Sequence, residues 1–232
     1  MDEKRKNQIK HDKLPSKDDL IVDYIKDQLE EKMQASAMDI NLFCKDGTVH
    51  MYGMVDVLSE KKMAESIAKN IDGVRKIENK ITIAMDSNIT DTHMKKEITE
   101  SFMTDRDADR IRGVGVHVED GVANLVGSVH TLEDAHIAMK VASESRGIKD
   151  VVNNIKIDSL NIHDDAVINS KVTQALSTTD ISYPDISHHV DHGRVVLSGH
   201  VNNRQEMELA KEIAMGIEGV RKVINRLKIR RD

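Results

Sequence analysis

Four histidines lie close together late in the sequence: His188, His189 and His192 in the run HHVDH, with His200 a few residues beyond. Imidazoles on adjacent strands could hold zinc or a softer transition metal. Neighbours along a regular strand point to opposite faces, however, which separates His188 from His189. The expectation is therefore no metal site, with His188 a partly buried core substitute and the other three solvated. A second group closes the chain in VINRLKIRR, where Arg226, Lys228 and Arg230 alternate with Leu227 and Ile229. In a strand all three bases project from one face, and Arg221, Lys222 and Arg231 flank them. Such a row can take phosphates through point charges and bidentate guanidinium contacts. Beside a membrane, anionic headgroups would contribute about 1 kcal/mol per base. The competing reading is that outward charges merely keep a sheet edge from aggregating.

Other chemistry is thin. Cys44 is the one cysteine, has no histidine motif around it and falls on a core-facing position, where a thiol behaves as a small inert hydrophobe. One cysteine also excludes an intramolecular disulfide and agrees with a reducing compartment. No Ser-centred elbow, Gly-rich phosphate loop or H-E-x-x-H helix is present. The expectation is a protein without catalytic residues or cofactors. The segment HMKKEITESFM (Met94, Ile98 and Phe102 on one stripe, Lys95 and Lys96 beside it) has the form of an interfacial helix. Glu97 and Glu100 oppose anionic lipid, so the stripe is assigned to the core.

The elements that must position these residues are repeated. The phrase GVRKIENKITI starts at Gly73, GIKDVVNNIKI at Gly147 and GVRKVINRLKI at Gly219. Upstream stand DGTVHMYGMV from Asp46, DGVANLVGSV from Asp120 and HGRVVLSGHV from His192, at the same offsets. Internal repetition of this kind decides the architecture before any local reading. Asp-Gly or His-Gly between alternating runs predicts a hairpin with a tight turn. The first strands alternate through Ile40, Leu42, Cys44; Val114, Val116, Val118; and Ile186, His188, Val190. The glycines at 53, 127 and 199 fall on the inward parity, which predicts close backbone approach by a helix. A helical period follows at Met63, Ala64, Ile67, Ala68, Ile71; at Ile137, Ala138, Val141, Ala142, Ser145; and at Leu209, Ala210, Ile213, Ala214, Ile217. Thr131 and Asn203 are its candidate N-caps, and Gly73, Gly147 and Gly219 its candidate C-caps. A weaker amphipathic helix precedes each hairpin, with Ile21, Ile25 and Leu29 in the first copy.

The expected fold is α+β: three tandem αββαβ modules, each a small mixed three-stranded sheet with two helices on one face. Module 1 covers 18–85, module 2 covers 90–158 and module 3 covers 164–232, after a basic flexible tail over 1–17. The linkers MDSNI and SLNIH are too short to let the modules drift far apart. Outward sheet positions Phe43, Tyr52 and Met54 in module 1, continued by Val122 and Val126 in module 2, are unusually apolar. They are expected to pack against another module or a second copy.

A net charge of −6 is unevenly spread. Modules 1 and 2 are acidic and module 3 is neutral, so an anion-seeking surface belongs near the chain ends. The acidic balance and scarcity of aromatics disfavour nucleic acid. The charged N-terminus has no apolar core region, so a cytoplasmic location is expected unless the sequence is trimmed.

The pattern G-x-V-x-L-x-G-x-V, a helix with paired apolar–Ala steps, then G-V-x-x-V-x-N-x-[LI]-x-[VI], resembles the BON domain. In module 3 it runs from Gly193 through Val195, Leu197, Gly199 and Val201, and then through Gly219, Val220, Val223, Asn225, Leu227 and Ile229. The resemblance implies non-enzymatic modules that contact phospholipid surfaces or other proteins, with a potassium-binding role in one branch. The chain looks most similar to a leaderless, triple-BON, osmotically induced type. The expected function is a stress-response binding protein meeting an anionic membrane surface or a protein partner through its basic last strand. The alternative is a soluble potassium sensor or interaction scaffold.

Overall fold

A computed structural model describes residues 15–84, 89–158, 164–179, 181 and 185–230, without the side chains of 35 and 36. The linker SLNIH, the linker MDSNI except Ile89, nearly all of the N-terminal tail, and Arg231 lie outside the described residues. The chain divides into two compact units. One holds module 1 up to Val55 with Glu60–Thr82; the other holds Asp56–Ser59 and everything from Ile83.

In module 1, helix α1 (Lys17–Met33) leads through a 3-10 turn (Gln34–Asp39) into strands β1 (Ile40–Lys45) and β2 (Thr48–Val55). Helix α2 (Leu58–Lys69) and strand β3 (Lys76–Ile83) follow. Module 2 repeats the order as α3 (Asp91–Thr104), a short α4 (Ala108–Ile111), β4 (Val114–Glu119), β5 (Val122–Val129), α5 (Leu132–Ser143) and β6 (Asp150–Ile157). Module 3 comprises α6 (Asp165–Ser177), β7 (Ile186–Asp191), β8 (Arg194–Val201), α7 (Arg204–Met215) and β9 (Lys222–Ile229). Each sheet has three strands in sequence order. The hairpin strands are antiparallel, and the returning strand runs parallel to the second in modules 2 and 3. The mixed αββαβ module read from the repeats is therefore the observed one.

Each hairpin turn holds two residues in the left-handed region: Asp46 and Gly47 at φ 51° and 76°, Asp120 and Gly121 at 51° and 77°, His192 and Gly193 at 51° and 72°. Two consecutive positive φ values make the turn whose twist matches the flanking strands, and they require glycine at the second position. Inward residues of both strands then meet the helices. Val49, Met51, Ala64 and Ala68 are sealed in module 1, Ala123, Leu125, Ala138 and Ala142 in module 2, and Val195, Leu197, Ala210 and Ala214 in module 3. Alanine at the paired helical positions lets the second helix lie close on the sheet. The first helix contributes Ile21, Ile25 and Leu29, or Met94, Ile98 and Phe102, or Ile168, Val172 and Leu176. The stripe of HMKKEITESFM is thus core.

Three local expectations change. The inward glycines meet a backbone carbonyl of the chain leading into the first strand, not one of the α-helices: a Cβ at Gly53, Gly127 or Gly199 would lie 1.9, 2.0 or 2.0 Å from the oxygen of Asp39, Gly113 or Asp185. The chain entering the first strand crosses directly over the second, and in module 2 the Ser128 N–H donates to the Gly113 oxygen at 3.3 Å. Gly73, Gly147 and Gly219 keep positive φ but do not cap helices, which end at Lys69, Ser143 and Met215. They turn the connection into the last strand instead. Met63 and Leu209 lie exposed beside the helical stripe rather than within it, because the neighbouring alanines and isoleucines fill the sheet contact.

A carboxylate that the sequence reading passed over ties each module together. Asp18, Asp91 and Asp165 occupy the first turn of the first helix and accept both N–H groups of the hairpin turn at 2.7–3.0 Å. Thr131 and Asn203 cap α5 and α7 as expected, through the N–H groups of Asp134 and Glu206. Within the second unit α5 approaches α7. Gly216 there faces Glu133, whose Oε2 would stand 3.1 Å from an added Cβ.

Candidate anion-binding face

Strand β9 carries the predicted basic row, and its register against β8 shows what accompanies it. Lys222 lies beside Arg194, Arg226 beside Ser198, and Lys228 beside His200. Laterally paired residues share a face, so Arg194, Lys222, Arg226 and Lys228 all stand on the side of the sheet away from the helices. All four are exposed. Inward from them, Leu227 is buried and Asn225 reaches α7, donating from Nδ2 to the Met207 carbonyl at 3.0 Å. Its Oδ1 accepts the Leu227 N–H at 3.1 Å. The same asparagine–N–H bond recurs at Asn79 to Ile81 and at Asn153 to Ile155.

Arg194 was not among the sequence candidates. It stands next to a turn, 28 residues before Lys222, and only the parallel register joins the two. The repeated phrases carry that register, because each copy sets its hairpin and its returning strand at one spacing.

Two predicted bases behave differently from the rest. Arg230 pairs with the carboxylate of Asp185 and donates to Asn202 Oδ1 at 3.4 Å, so much of its charge is met locally. Arg221 precedes the strand. Its N–H donates to the Gly193 oxygen at 2.8 Å, and its side-chain carbons lie over the turn, 3.3 Å from where a Gly193 Cβ would be. Among the described residues no carboxylate pairs with Arg194, Lys222, Arg226 or Lys228. Asp191 is the acid nearest in register, opposite Arg194.

The histidines part company. His188 turns inward, with Nε2 3.1 Å from Thr173 Oγ1 and 3.3 Å from the Asn169 carbonyl on α6. His189 and His200 are exposed on the basic face. His192 sits in the turn with Nδ1 2.7 Å from Asp191 Oδ1. It forms a group of possible metal ligands with Asp165 and Asp191. Both Asp165 oxygens already accept turn N–H groups, of Gly193 first and then His192, and these bonds hold its carboxyl below the usual range.

The outward faces of the other sheets differ. In module 1, Phe43, Tyr52 and Met54 are exposed, with His50 3.2 Å from Glu78 and Lys80 5.5 Å from the Tyr52 ring centroid. In module 2, Val126 is exposed and Val122 half-buried. Cys44 is buried beneath the first sheet, its thiol donating to Asp18 Oδ1 at 3.3 Å. Burial, aided by the Asp18 carboxylate, pushes the thiol up to about 11.

Comparison with known proteins follows the same threefold division. The sequence matches the BON domain over residues 17–85, 90–159 and 164–231. The chain belongs to the BON family. One relative of its BON modules is osmotically-inducible protein Y of Escherichia coli (strain K12), 41% identical over 71 residues. That match takes in 30% of this chain and 35% of that protein, about a third of its length. Among solved structures, the C-terminal domain of CdsD, a structural protein of the type III secretion system of Chlamydia trachomatis, is 14% identical with a TM-score of 0.26. It aligns over 91% of this chain and 98% of its own. The periplasmic domain of the S. typhimurium secretion protein PrgH is 11% identical with a TM-score of 0.23, over 87% of this chain and all of the fragment. Likeness this low carries nothing about function. Among the described residues no helix of the BON chain is long and apolar enough to cross a membrane.

Proposed function

We propose that this chain is a non-enzymatic binding protein of an osmotic or envelope stress response, docking on anionic phospholipid surfaces through the outer sheet face of module 3. One observation carries the reading: Arg194, Lys222, Arg226 and Lys228 stand on one open sheet face with no carboxylate paired to them among the described residues. Bases spread over one sheet face suit an extended anionic surface, because each can meet a different headgroup. At about 1 kcal/mol per base, four bases give a contact strong enough to sediment with vesicles and weak enough to be screened by salt. The stress setting rests on the likeness to osmotically-inducible protein Y. The non-enzymatic reading rests on glycines committed to turns and on a lone thiol pushed up to about 11.

The test is co-sedimentation with neutral and with phosphatidylglycerol-containing vesicles at two salt concentrations. Arg194→Glu/Arg226→Glu/Lys228→Glu is compared with the unaltered chain. Binding confined to anionic vesicles, weakened by salt and abolished in the variant is the expected result. Equal binding by the variant would remove module 3 from the contact, and no binding to either vesicle would end the membrane reading.

A second role is favoured by the exposed Phe43, Tyr52 and Met54 of module 1. An aromatic and methionine face of this kind suits protein contact, with another copy or a different partner.

A further inference from the structure

The bases of the module 3 face share it with a group that titrates. His200 on β8 lies directly beside Lys228 on β9, exposed on the same side of the sheet, with Arg226 two residues before Lys228 on that face. Modules 1 and 2 hold Met54 and Ser128 at this place, one residue after the glycine that the entering chain crosses. Imidazole is the side chain whose charge changes between about pH 5 and pH 8, so this position can be neutral or cationic while its neighbours stay charged. Among the described residues the charged groups around it are Lys228 and Arg226 on β9, Asp185 leading into β7, and Arg230. The Asp185 carboxylate is already paired with Arg230. Asn202, two residues on in the chain, is held by Glu206 of α7 at 3.1 Å. His189 belongs to the other end of β7, two residues from Asp191 on the same face, and its charge and that of His192 act on Asp165. A proton gained there is met by acids, whereas one gained at His200 extends the row of bases.

We propose that His200 makes docking of this face proton-dependent. At neutral pH the face presents Arg194, Lys222, Arg226 and Lys228, and in mild acid it presents a fifth cation beside Lys228. The inference rests on the anionic-surface reading above and adds the condition under which that contact is strongest. A headgroup phosphate next to the ring favours its charged form and accepts its N–H. The membrane itself pushes the same way: a surface potential of about −30 mV draws in protons as it draws in other cations, which lowers the pH there by about half a unit. Binding and proton uptake are reciprocal, so docking adds a proton to the chain at a pH where the free chain does not fully hold it.

The test uses the full chain at low salt with vesicles of phosphatidylcholine alone and of phosphatidylcholine containing phosphatidylglycerol, a phosphodiester ionised at both pH values compared. Binding to the anionic vesicles should be about fivefold tighter at about pH 5.5 than at about pH 7.5, the contribution of one further base at such a surface. His200→Gln should lose most of that gain while keeping the affinity measured at neutral pH. His200→Arg should bind at neutral pH as the unaltered chain does in acid, and His189→Gln should keep the gain. His200 is exposed, and thermal melts matching the unaltered chain check that the variants fold. An undiminished gain in His200→Gln, a gain lost in His189→Gln instead, or equal tightening on the neutral vesicles would each overturn the proposal. So would an unaltered chain that binds anionic vesicles equally at both pH values, an outcome that leaves the docking face itself standing. No binding at either pH would end the docking reading, and this inference with it.

Discussion

The carboxylate of Asp165 accepts the backbone N–H of Gly193 at 2.9 Å, joining the first turn of α6 to the tip of the β7–β8 hairpin. Its second oxygen takes the His192 N–H. Asp18 does the same in module 1 and Asp91 in module 2. One short side chain thereby satisfies the two donors of a strained turn and fixes where the first helix begins relative to the sheet.

Because those N–H groups hold the carboxyls of Asp18 and Asp165 below their ordinary value, their contribution to stability is fully present above the unfolded carboxylate range, about pH 4. It is lost as pH falls below that range toward the depressed folded values. Asp165→Ala should lower the Tm measurably at pH 7, by less at pH 3, and Asp165→Asn should restore part of the loss by accepting one bond. Thermal melts of the two variants at both pH values provide the check, and an equal loss at pH 3 and pH 7 would contradict the assignment.

The glycines under the crossing chain should tolerate nothing larger. Gly199 has φ 115°, and a Cβ would sit 2.0 Å from the Asp185 oxygen. Gly199→Ala should cost at least about 3 kcal/mol. Urea unfolding would register this, and a change of no more than about 0.5 kcal/mol, the size of an ordinary surface substitution, would show that the crossing relaxes cheaply.

Asn225 makes two bonds that no alanine can replace, to the Met207 carbonyl and to the Leu227 N–H. Asn225→Ala should cost about 1–3 kcal/mol. It should also speed hydrogen exchange at the Leu227 amide, whereas the equivalent change at Asn153, which among the described residues holds its strand bond alone, should cost less.

Cys44 should be slow toward disulfide reagents near pH 8 in the folded chain. Its thiol is pushed up to about 11 by burial and by Asp18. A thiol that holds its proton more tightly when folded stabilises the fold below the unfolded value, about 8.5, and that contribution fades as pH rises through 11. Reaction rates followed from pH 7 to pH 10, with and without denaturant, check this, and equally fast reaction of the folded and unfolded thiol near pH 8 would contradict it.

The module was legible because its determinants are local and written three times: turn glycines, alternation, and paired apolar–Ala steps. The basic row was legible as far as one strand shows it. Arg194 was not, because a parallel partner lies a whole helix away in sequence. The clamp by Asp18, Asp91 and Asp165 was missed for a different reason. A first-turn aspartate reads as ordinary helix chemistry, and nothing in its spacing to the turn has a period. The glycine approach was assigned to the wrong partner because parity tells which way a missing side chain points, not what lies there.

The bond from Asn79, Asn153 and Asn225 to the N–H two residues on has a consequence for a chain built of near-copies. Tandem modules hold their last strands at high local concentration, and similar strands are the ones most able to change places between neighbours during folding. The N–H that Asn225 engages, that of Leu227, alternates with the one of Arg230 that bonds β8, so it lies on the outer edge of the last strand. The asparagine in the repeated phrase thus makes that edge a poorer place for a neighbouring look-alike strand to add.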